Sequence, residues 1–551
     1  MNAVNTCYEK VNMCDEYSTL RDFILGKADI YSKKTVFQFW GKGRELVNIT
    51  YGQLSKDIHA LGTYLLSRGY RKQHIAIISE NSYDWIRLFF AISFSGNICV
   101  PIARDLGGAI VAENLRNSDC SCVFYSEKCV KLIDSINEDH PDLMNNLYPM
   151  NDIGSYIDDG QELIDSGDES FAEYKCEPDD VAAIYFTSGT TGSQKCVQLT
   201  HENLAFNILA GRERLSTAVH RDHTLVVLPL THVFSFIVMC YIFHYGRYGF
   251  ICSGMKAFFP DINEIRPDII GMVPLFMETV YKEVNNELRS KGKLKAYKRL
   301  CAVSNVLLKV HIDLRPVLFK EIRNKFGGNL RQIIAGGAPL SQTIIDEFHN
   351  WGVDIALGYG ITECAPVIAV SDYKDSMPNS VGRPFDGLEV IIDTPDDKGI
   401  GEICVKGPAV MKGYYNNPQE TAKALEGGMF HTGDLGYLND DGYLFITGRI
   451  KNLIILSNGE NISPELIEGR VSEHTIVKEV LAYQKDNQIV AEIYPNKSFI
   501  EKNNIANDKE QISDIINAVN KSLPPYARIG EIVIRNEEFK KNSSKKIIRN
   551  Q

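Results

Sequence analysis

VAAIYFTSGTTGSQK, residues Val181 to Lys195, joins an apolar run to a glycine- and hydroxyl-rich loop that ends in a lysine. Backbone N–H groups, the hydroxyls of Thr187, Ser188, Thr190 and Thr191, and the Lys195 ammonium can all point at one small volume, with Gly189 and Gly192 easing the turns. Such an array suits a triphosphate. It is not a Walker A loop. That motif needs Gly immediately before the lysine, Ser or Thr immediately after it, and a helix starting there, whereas here Gln194 precedes Lys195, Cys196 follows, and the chain continues as VQLT. A different nucleotide chemistry is implied.

Short β-type runs alternate with helix-like segments on both sides of the loop. IAIIS precedes SYDWIRLFFAISF and ICVPI, and later RQIIAGG precedes SQTIIDEFHNWG and DIALGYG. The alternation predicts α/β layers with largely parallel sheets. From Thr279 to Phe326 the pattern turns helical and basic, as expected of a solvated amphipathic surface. Past Asp434 the texture changes to short hairpin-like strands, YLFIT and NLIILS, with a turn at Asn458-Gly459. A helix is expected from Ser463 as N-cap, with Pro464 in the first helical position and Glu465 in the first turn. These cues predict a large α/β body over residues 1–450 and a small, mobile α+β domain over 451–551, with the boundary inside GRIKN, Gly448 to Asn452.

At 551 residues the chain is too long for one typical core. Its net charge of −11 argues against nucleic acid as a partner. Thirteen cysteines, without zinc-site spacing and odd in number, point to a reduced cytoplasm rather than a disulfide framework. The N-terminus lacks the basic and apolar pattern of a secretory signal. The most apolar runs, from Leu88 and from Phe234, are broken before membrane-spanning length, so core elements are expected, with peripheral membrane contact at most.

The loop resembles the phosphate-binding signature of the adenylate-forming superfamily of acyl- and aryl-CoA synthetases, fatty acyl-AMP ligases, adenylation domains and luciferases. Further matching motifs follow in that family's order: AGGAPL at Ala335 to Leu340, GYGITE at Gly358 to Glu363, VGRP at Val381 to Pro384, HTGDLG at His431 to Gly436, and GRIKN. NSYDW at Asn81 to Trp85, VMKGYYNNP and IILSNGENISP look most like bacterial long-chain fatty-acid–CoA ligases. The resemblance implies ATP, Mg²⁺ and a carboxylic acid as reactants, with CoA, or the phosphopantetheine arm of an acyl carrier protein, as acceptor.

The same resemblance assigns roles. Thr187, Ser188, Thr190, Thr191 and Lys195 take the β- and γ-phosphates, with Gly189 and Gly192 in the same nucleotide-binding loop; Glu363 holds Mg²⁺, with Thr187 beside it. Tyr359, between Gly358 and Gly360, offers its face to adenine, and Thr362 its hydroxyl to the α-phosphate. Gly336, Gly337 and Ala338 let the backbone approach the nucleotide. Asp434 accepts the ribose hydroxyls and Arg449 supports ribose or phosphate. Lys451 is the hinge of the small domain, and Lys546, in NSSKKIIRN, is the catalytic lysine. His232, Phe234 and Phe236, in LPLTHVFSF, are expected with Gly358 around the acyl group. Gln194, Cys196 and Lys545 depart from the family pattern, the first two in a way expected to loosen the loop. They suggest a second reading, an idle acyl- or nucleotide-binding protein, against which the retained Lys195, Glu363, Asp434, Arg449 and Lys546 count.

Overall fold

Runs of valine, isoleucine and alanine too short for helices become the buried strands of two sheets with parallel centres. The computed structural model describes residues 17–143, 146–188, 194–215, 223–254, 257–371, 376–455, 461–486, 488–503, 505–541 and 547–549. One seven-stranded sheet runs, edge to edge, Gly413–Tyr414, Gln194–Thr200, Val181–Ser188, Ile98–Pro101, His74–Ile78, Cys120–Tyr125 and Leu147–Pro149. Its strands are parallel from Val181–Ser188 onward, while Gln194–Thr200 folds back antiparallel and sets Lys195 opposite Thr187. A nine-stranded sheet has a parallel centre that ends in Ile269–Met272, Gln332–Ala335 and Asp354–Gly360, with antiparallel strands at both edges.

The apolar run around Leu88 is a core helix. Tyr83–Phe94 starts at Ser82, whose hydroxyl accepts the Trp85 N–H at 3.1 Å, and Trp85, Phe89, Phe90 and Phe94 are all fully buried. Each such side chain contributes about 1.5–3 kcal/mol by leaving water, which explains an apolar density high enough to suggest a membrane. No described helix is long and apolar enough to cross one.

The basic stretch folds as helices Pro274–Ser290 and Leu294–Lys309 followed by short turns. It is less polar than expected. Tyr297, Cys301 and Ser304 face inward, yet Val306 is 63% and Val317 73% exposed, so apolar side chains stand among the lysines on the outer surface.

A four-stranded antiparallel sheet follows, Glu389–Asp393, Gly401–Lys406, Phe430–Leu438 and Leu444–Arg449. Beyond the short turn Ile450–Asn452, an apolar cluster around Ile467, Val471, Ile493, Ile512 and Ile516 draws only on residues from Ile454 onward. Strands Val477–Lys485, Gln488–Pro495 and Ile529–Ile534 and helix Asp508–Ser522 build this smaller C-terminal unit. Its first helix, Pro464–Ser472, begins where expected, but Ser463 does not cap it through its side chain. That hydroxyl instead donates to Glu465 Oε2 at 2.7 Å. The turn expected at Asn458-Gly459 lies outside the described residues.

One buried amide pins the loop that matters most. Asn207, on helix His201–Leu215, donates to the carbonyls of Cys364 and Val367 and accepts the Val367 N–H, and so holds the segment carrying Thr362 and Glu363. Removing it orphans buried backbone groups at about 1–3 kcal/mol each. Asn207→Ala should therefore lower the thermal unfolding midpoint by about 3 °C or more in differential scanning fluorimetry. A midpoint within a degree of wild type would contradict the clamp.

Candidate active site

The site gathers where parallel strands end, the usual place for a ligand in an α/β sheet. Neighbouring strands Gln332–Ala335 and Asp354–Gly360 deliver Gly336 to Ala338 and Gly358 to Gly360 at their C-terminal ends. Opposite them, Asp434 and Arg449 are cross-strand partners in the four-stranded sheet. Asp434 is only 4% exposed, yet it is fully accompanied: Oδ1 lies 2.6 Å from Arg449 Nε, and Oδ2 accepts the Tyr359 hydroxyl at 2.8 Å. Burial, and then the Asp434 charge, push the Tyr359 hydroxyl well above its ordinary pKa, so it stays a donor. A carboxylate has about four acceptor positions, so two remain for a diol. Gly433, at φ +69, supplies the turn before Asp434, and Thr432 Oγ1 fixes it by accepting the Asp434 N–H at 3.0 Å.

Lys195 and Glu363 meet through residues the sequence reading missed. Lys195 Nζ lies 2.7 Å from Glu420 Oε2 and 4.6 Å from the centre of the Tyr414 ring. The Tyr414 hydroxyl donates to Glu363 Oε1 at 2.9 Å; Glu363 Oε2 has no hydrogen bond among the described residues. Glu363 is thus held by one oxygen and offers the other, a fit for a hard cation beside phosphate. Bonding to Lys195 holds the Glu420 carboxyl below its ordinary range. Tyr414 lies inside VMKGYYNNP and was legible as part of a motif. Glu420 had no signal of its own, since it acts only by coming within reach of Lys195.

Lys451 belongs to this cluster as well. Partial loss of water and the nearby Arg449, with a weaker push from Lys195, lower its ammonium pKa against the pull of Asp434. Three cations therefore converge where polyphosphate charge would relieve their repulsion.

Two glycine arguments need correcting. A Cβ on Gly336 would meet not open nucleotide space but the Phe234 ring at 3.0 Å. Gly337 has open space around it; its φ of +88 is the reason for glycine there. At Gly360 a Cβ would overlap the Pro366 carbonyl, so the residue serves the turn through Thr362–Cys364. Ala338 is exposed in the loop beyond Gly337.

On the acyl side, Asn81 grips the LPL segment, donating to the Leu228 carbonyl and accepting the Leu230 N–H. His232 then occupies the N-cap position of helix Val233–Cys240; it reaches solvent from within a crevice whose walls strip enough water to lower its pKa. Phe234 lies against Gly336, in contact with the nucleotide-side strands. Phe236 does not reach the site: it is 0% exposed and packs on Phe89 and Phe90. Helical geometry explains the split, because residues two apart point to different faces. Beneath this helix, Leu225, Leu228, Val238, Met239 and Gly271 line a narrow crevice of about 10 Å³, room for about one water.

The two departures, Gln194 and Cys196, are both anchored where the strand after the loop begins. Gln194 Oε1 accepts from Asn114 at 2.8 Å, and Cys196 is buried with its thiol toward the Asn117 carbonyl. Gly189, Thr190, Thr191, Gly192, Lys545 and Lys546 lie outside the described residues, as does the side chain of Ser188. On either side of residues 542–546, Lys541 pairs with Glu479 and bridges to Ile547, and Arg549 pairs with Glu468 at 2.7 Å.

Residues 27–415 match the AMP-binding enzyme family, and residues 451–551 match the AMP-binding enzyme C-terminal domain. The chain belongs to the AMP-binding enzyme family and is an AMP-forming acid–thiol ligase. It is 29% identical over 453 residues to the long-chain-fatty-acid–CoA ligase FadD15 of Mycobacterium bovis, covering 79% of this chain and 75% of that protein. The fold matches o-succinylbenzoate CoA synthetase (MenE) of Bacillus subtilis in complex with ATP and magnesium ion, with TM-score 0.73, 21% identity, and 96% and 98% of the two chains covered. It also matches a Mycobacterium tuberculosis fatty acyl CoA synthetase, with TM-score 0.66, 22% identity and 97% of each chain.

The Lys195–Glu420 ion pair is partly exposed and worth about 0.2–1 kcal/mol, the amount a phosphate arriving at Lys195 would have to overcome. Glu420→Gln should lower the KM for ATP by up to about fivefold, with kcat little changed, in steady-state kinetics. A raised KM would instead make Glu420 part of the binding surface.

Proposed function

We propose that this ligase activates a medium- or long-chain fatty acid with ATP and transfers it to CoA. The observation that carries the reading is the contact of Phe234 with Gly336. An apolar wall there adjoins the strands that present Tyr359, and through it Asp434, so a carboxylate head and an apolar tail are served from one point. The resemblance to FadD15 supports the same substrate class.

In this reading a carboxylate oxygen attacks the α-phosphorus and pyrophosphate leaves, giving acyl-AMP. Thr187, Ser188, Thr190, Thr191 and Lys195 hold the departing pyrophosphate, and Lys195 exchanges Glu420 for it. Mg²⁺, for which Glu363 and Thr187 are the proposed ligands, supplies neutralising charge at the phosphate oxygens. Asp434 takes the ribose hydroxyls with its two remaining acceptor positions, Arg449 braces it, and Thr362 supports the α-phosphate. Lys546 bridges the two anions that must meet. His232 gates the crevice, and the acyl chain threads beneath helix Val233–Cys240 once that helix gives way. The unit 451–551 then turns about Lys451 relative to 1–450, the CoA sulfur attacks the acyl carbon, the acyl–oxygen bond breaks, and AMP leaves. The described cysteines are all free, which suits a reducing cytoplasm.

Each buried methylene contributes about 0.8 kcal/mol, close to fourfold in affinity. Specificity constants measured with saturated acids of increasing length should climb until the crevice is full and then fall, and Val238→Ala should move the optimum to longer chains. A preference for aromatic or amino acids would overturn the fatty-acid reading. With CoA as the only thiol, AMP and acyl-CoA should form in equal amounts over many turnovers. Acyl-AMP that accumulates until a phosphopantetheinylated carrier protein is added would transfer the acceptor role to that carrier.

Lys546→Ala should abolish acyl-AMP formation yet leave thioester formation from supplied acyl-AMP. Lys451→Pro, which restricts φ at the proposed pivot, should do the reverse. Equal loss of both half-reactions in each variant would contradict these roles.

A further inference from the structure

The outer face of the four-stranded sheet carries a second constellation that adenylation leaves unused. Asp393 stands directly opposite Glu402, and Cys404 stands opposite His431 on the next strand. Ile403 packs into the core, so strand alternation puts Glu402 and Cys404 together on the other face. One ligand atom from each of Asp393, Glu402, Cys404 and His431 lies within 4.8 Å of all the others. Among the described residues no other group of three or more such side chains converges in this way.

Hydrogen bonding alone leaves the group poorly satisfied. Both Glu402 Oε2, at 3.0 Å, and Cys404 Sγ, at 3.4 Å, converge on His431 Nδ1, but that nitrogen has a single proton or lone pair to share. Two carboxylates directly opposite across a strand pair also repel each other. A divalent cation answers both demands. Tetrahedral zinc, with bonds of about 2.0–2.3 Å, sets its nitrogen and oxygen ligands about 3.3 Å apart and its nitrogen and sulfur ligands about 3.6 Å apart. The observed 3.0 and 3.4 Å need only a small expansion to match.

We propose that Asp393, Glu402, Cys404 and His431 form a structural site for a borderline-soft divalent metal, with zinc the best match. Thiolate and imidazole select against Mg²⁺, and four protein ligands leave no open position for catalysis. The support that such ligands need is present: Glu402 Oε1 accepts the Gly433 N–H at 2.8 Å, which orients the carboxylate and leaves Oε2 for the metal. Asp393 is exposed and gives entry from solvent, while Cys404 is buried beneath it. On binding, the Cys404 thiol proton is released to solvent as the sulfur–metal bond forms. The metal clasps three strands and, through Glu402, the turn that presents Asp434, so it stiffens the nucleotide site without entering it.

The test uses the full-length protein, stripped with a chelator and titrated with Co²⁺ alone. One equivalent should produce the intense visible bands of four-coordinate cobalt and a near-ultraviolet thiolate charge-transfer band, and one equivalent of Zn²⁺ should erase both, with millimolar Mg²⁺ having no effect. Cys404→Ser should remove the charge-transfer band. Asp393→Asn, at an exposed position where loss of the repulsion from Glu402 should keep the metal-free unfolding midpoint from falling, should weaken Co²⁺ binding by about tenfold or more, at least what outer-sphere partners of a metal are worth. A wild-type protein without these bands, or a Cys404→Ser variant that keeps the full charge-transfer band, would overturn the site.

Discussion

The carboxylate of Asp434 is the point on which the arrangement turns. It is nearly buried, and burying a charge is tolerable only when it is paired and hydrogen-bonded. Its two partners come from different places: Tyr359 from the end of the nine-stranded sheet, Arg449 from the last strand before the C-terminal unit. One charge thus registers the nine-stranded sheet against the four-stranded sheet and fixes where the chain leaves toward Lys451. Losing either partner strands part of that charge, so the geometry around Asp434 and the point where the chain leaves toward Lys451 are set together.

The same logic recurs around the site. Lys195 rests on Glu420, Glu363 on Tyr414, and Arg449 on Asp434. Each group proposed to meet nucleotide or metal is positioned by an internal partner that occupies only part of its bonding capacity. For Lys195 the partner is partly exposed and weakly held, so exchange for the proposed phosphate would cost little; for Asp434, itself nearly buried, the two partners leave spare lone pairs for the proposed ligand. Exposure decides between these modes.

Much of this was legible in the sequence. The α/β alternation, the helix after Ser82, the helix at Pro464 and the smaller C-terminal unit follow from periodicity and punctuation. Tyr359 lies near the end of its strand in the nine-stranded sheet, and Asp434, in mid-strand, meets Arg449 across an antiparallel pair, so the three motifs come together where the two sheets adjoin. What was hidden acts by long-range approach. Glu420 is an ordinary helix residue until it reaches Lys195, and Asn81 and Asn207 read as polar residues in apolar surroundings until their backbone partners are known. Phe236 was misread because LPLTHVFSF looks uniform as a string, whereas the helix it begins turns Phe234 toward the site and Phe236 into the core. The role of Gly336 was misattributed for a related reason: what fills the missing Cβ space is a ring from a segment about a hundred residues earlier in the chain.

The central claim is that carboxylate and α-phosphate are joined directly at the Asp434 and Lys195 cluster, and the fate of the carboxylate oxygen tests it. Hexadecanoate labelled with ¹⁸O in both carboxylate positions, incubated with the protein, ATP, Mg²⁺ and CoA, should deliver one labelled oxygen to each AMP and none to pyrophosphate, as mass spectrometry of the two products would show. AMP free of label, or label found in pyrophosphate or inorganic phosphate, would contradict the account.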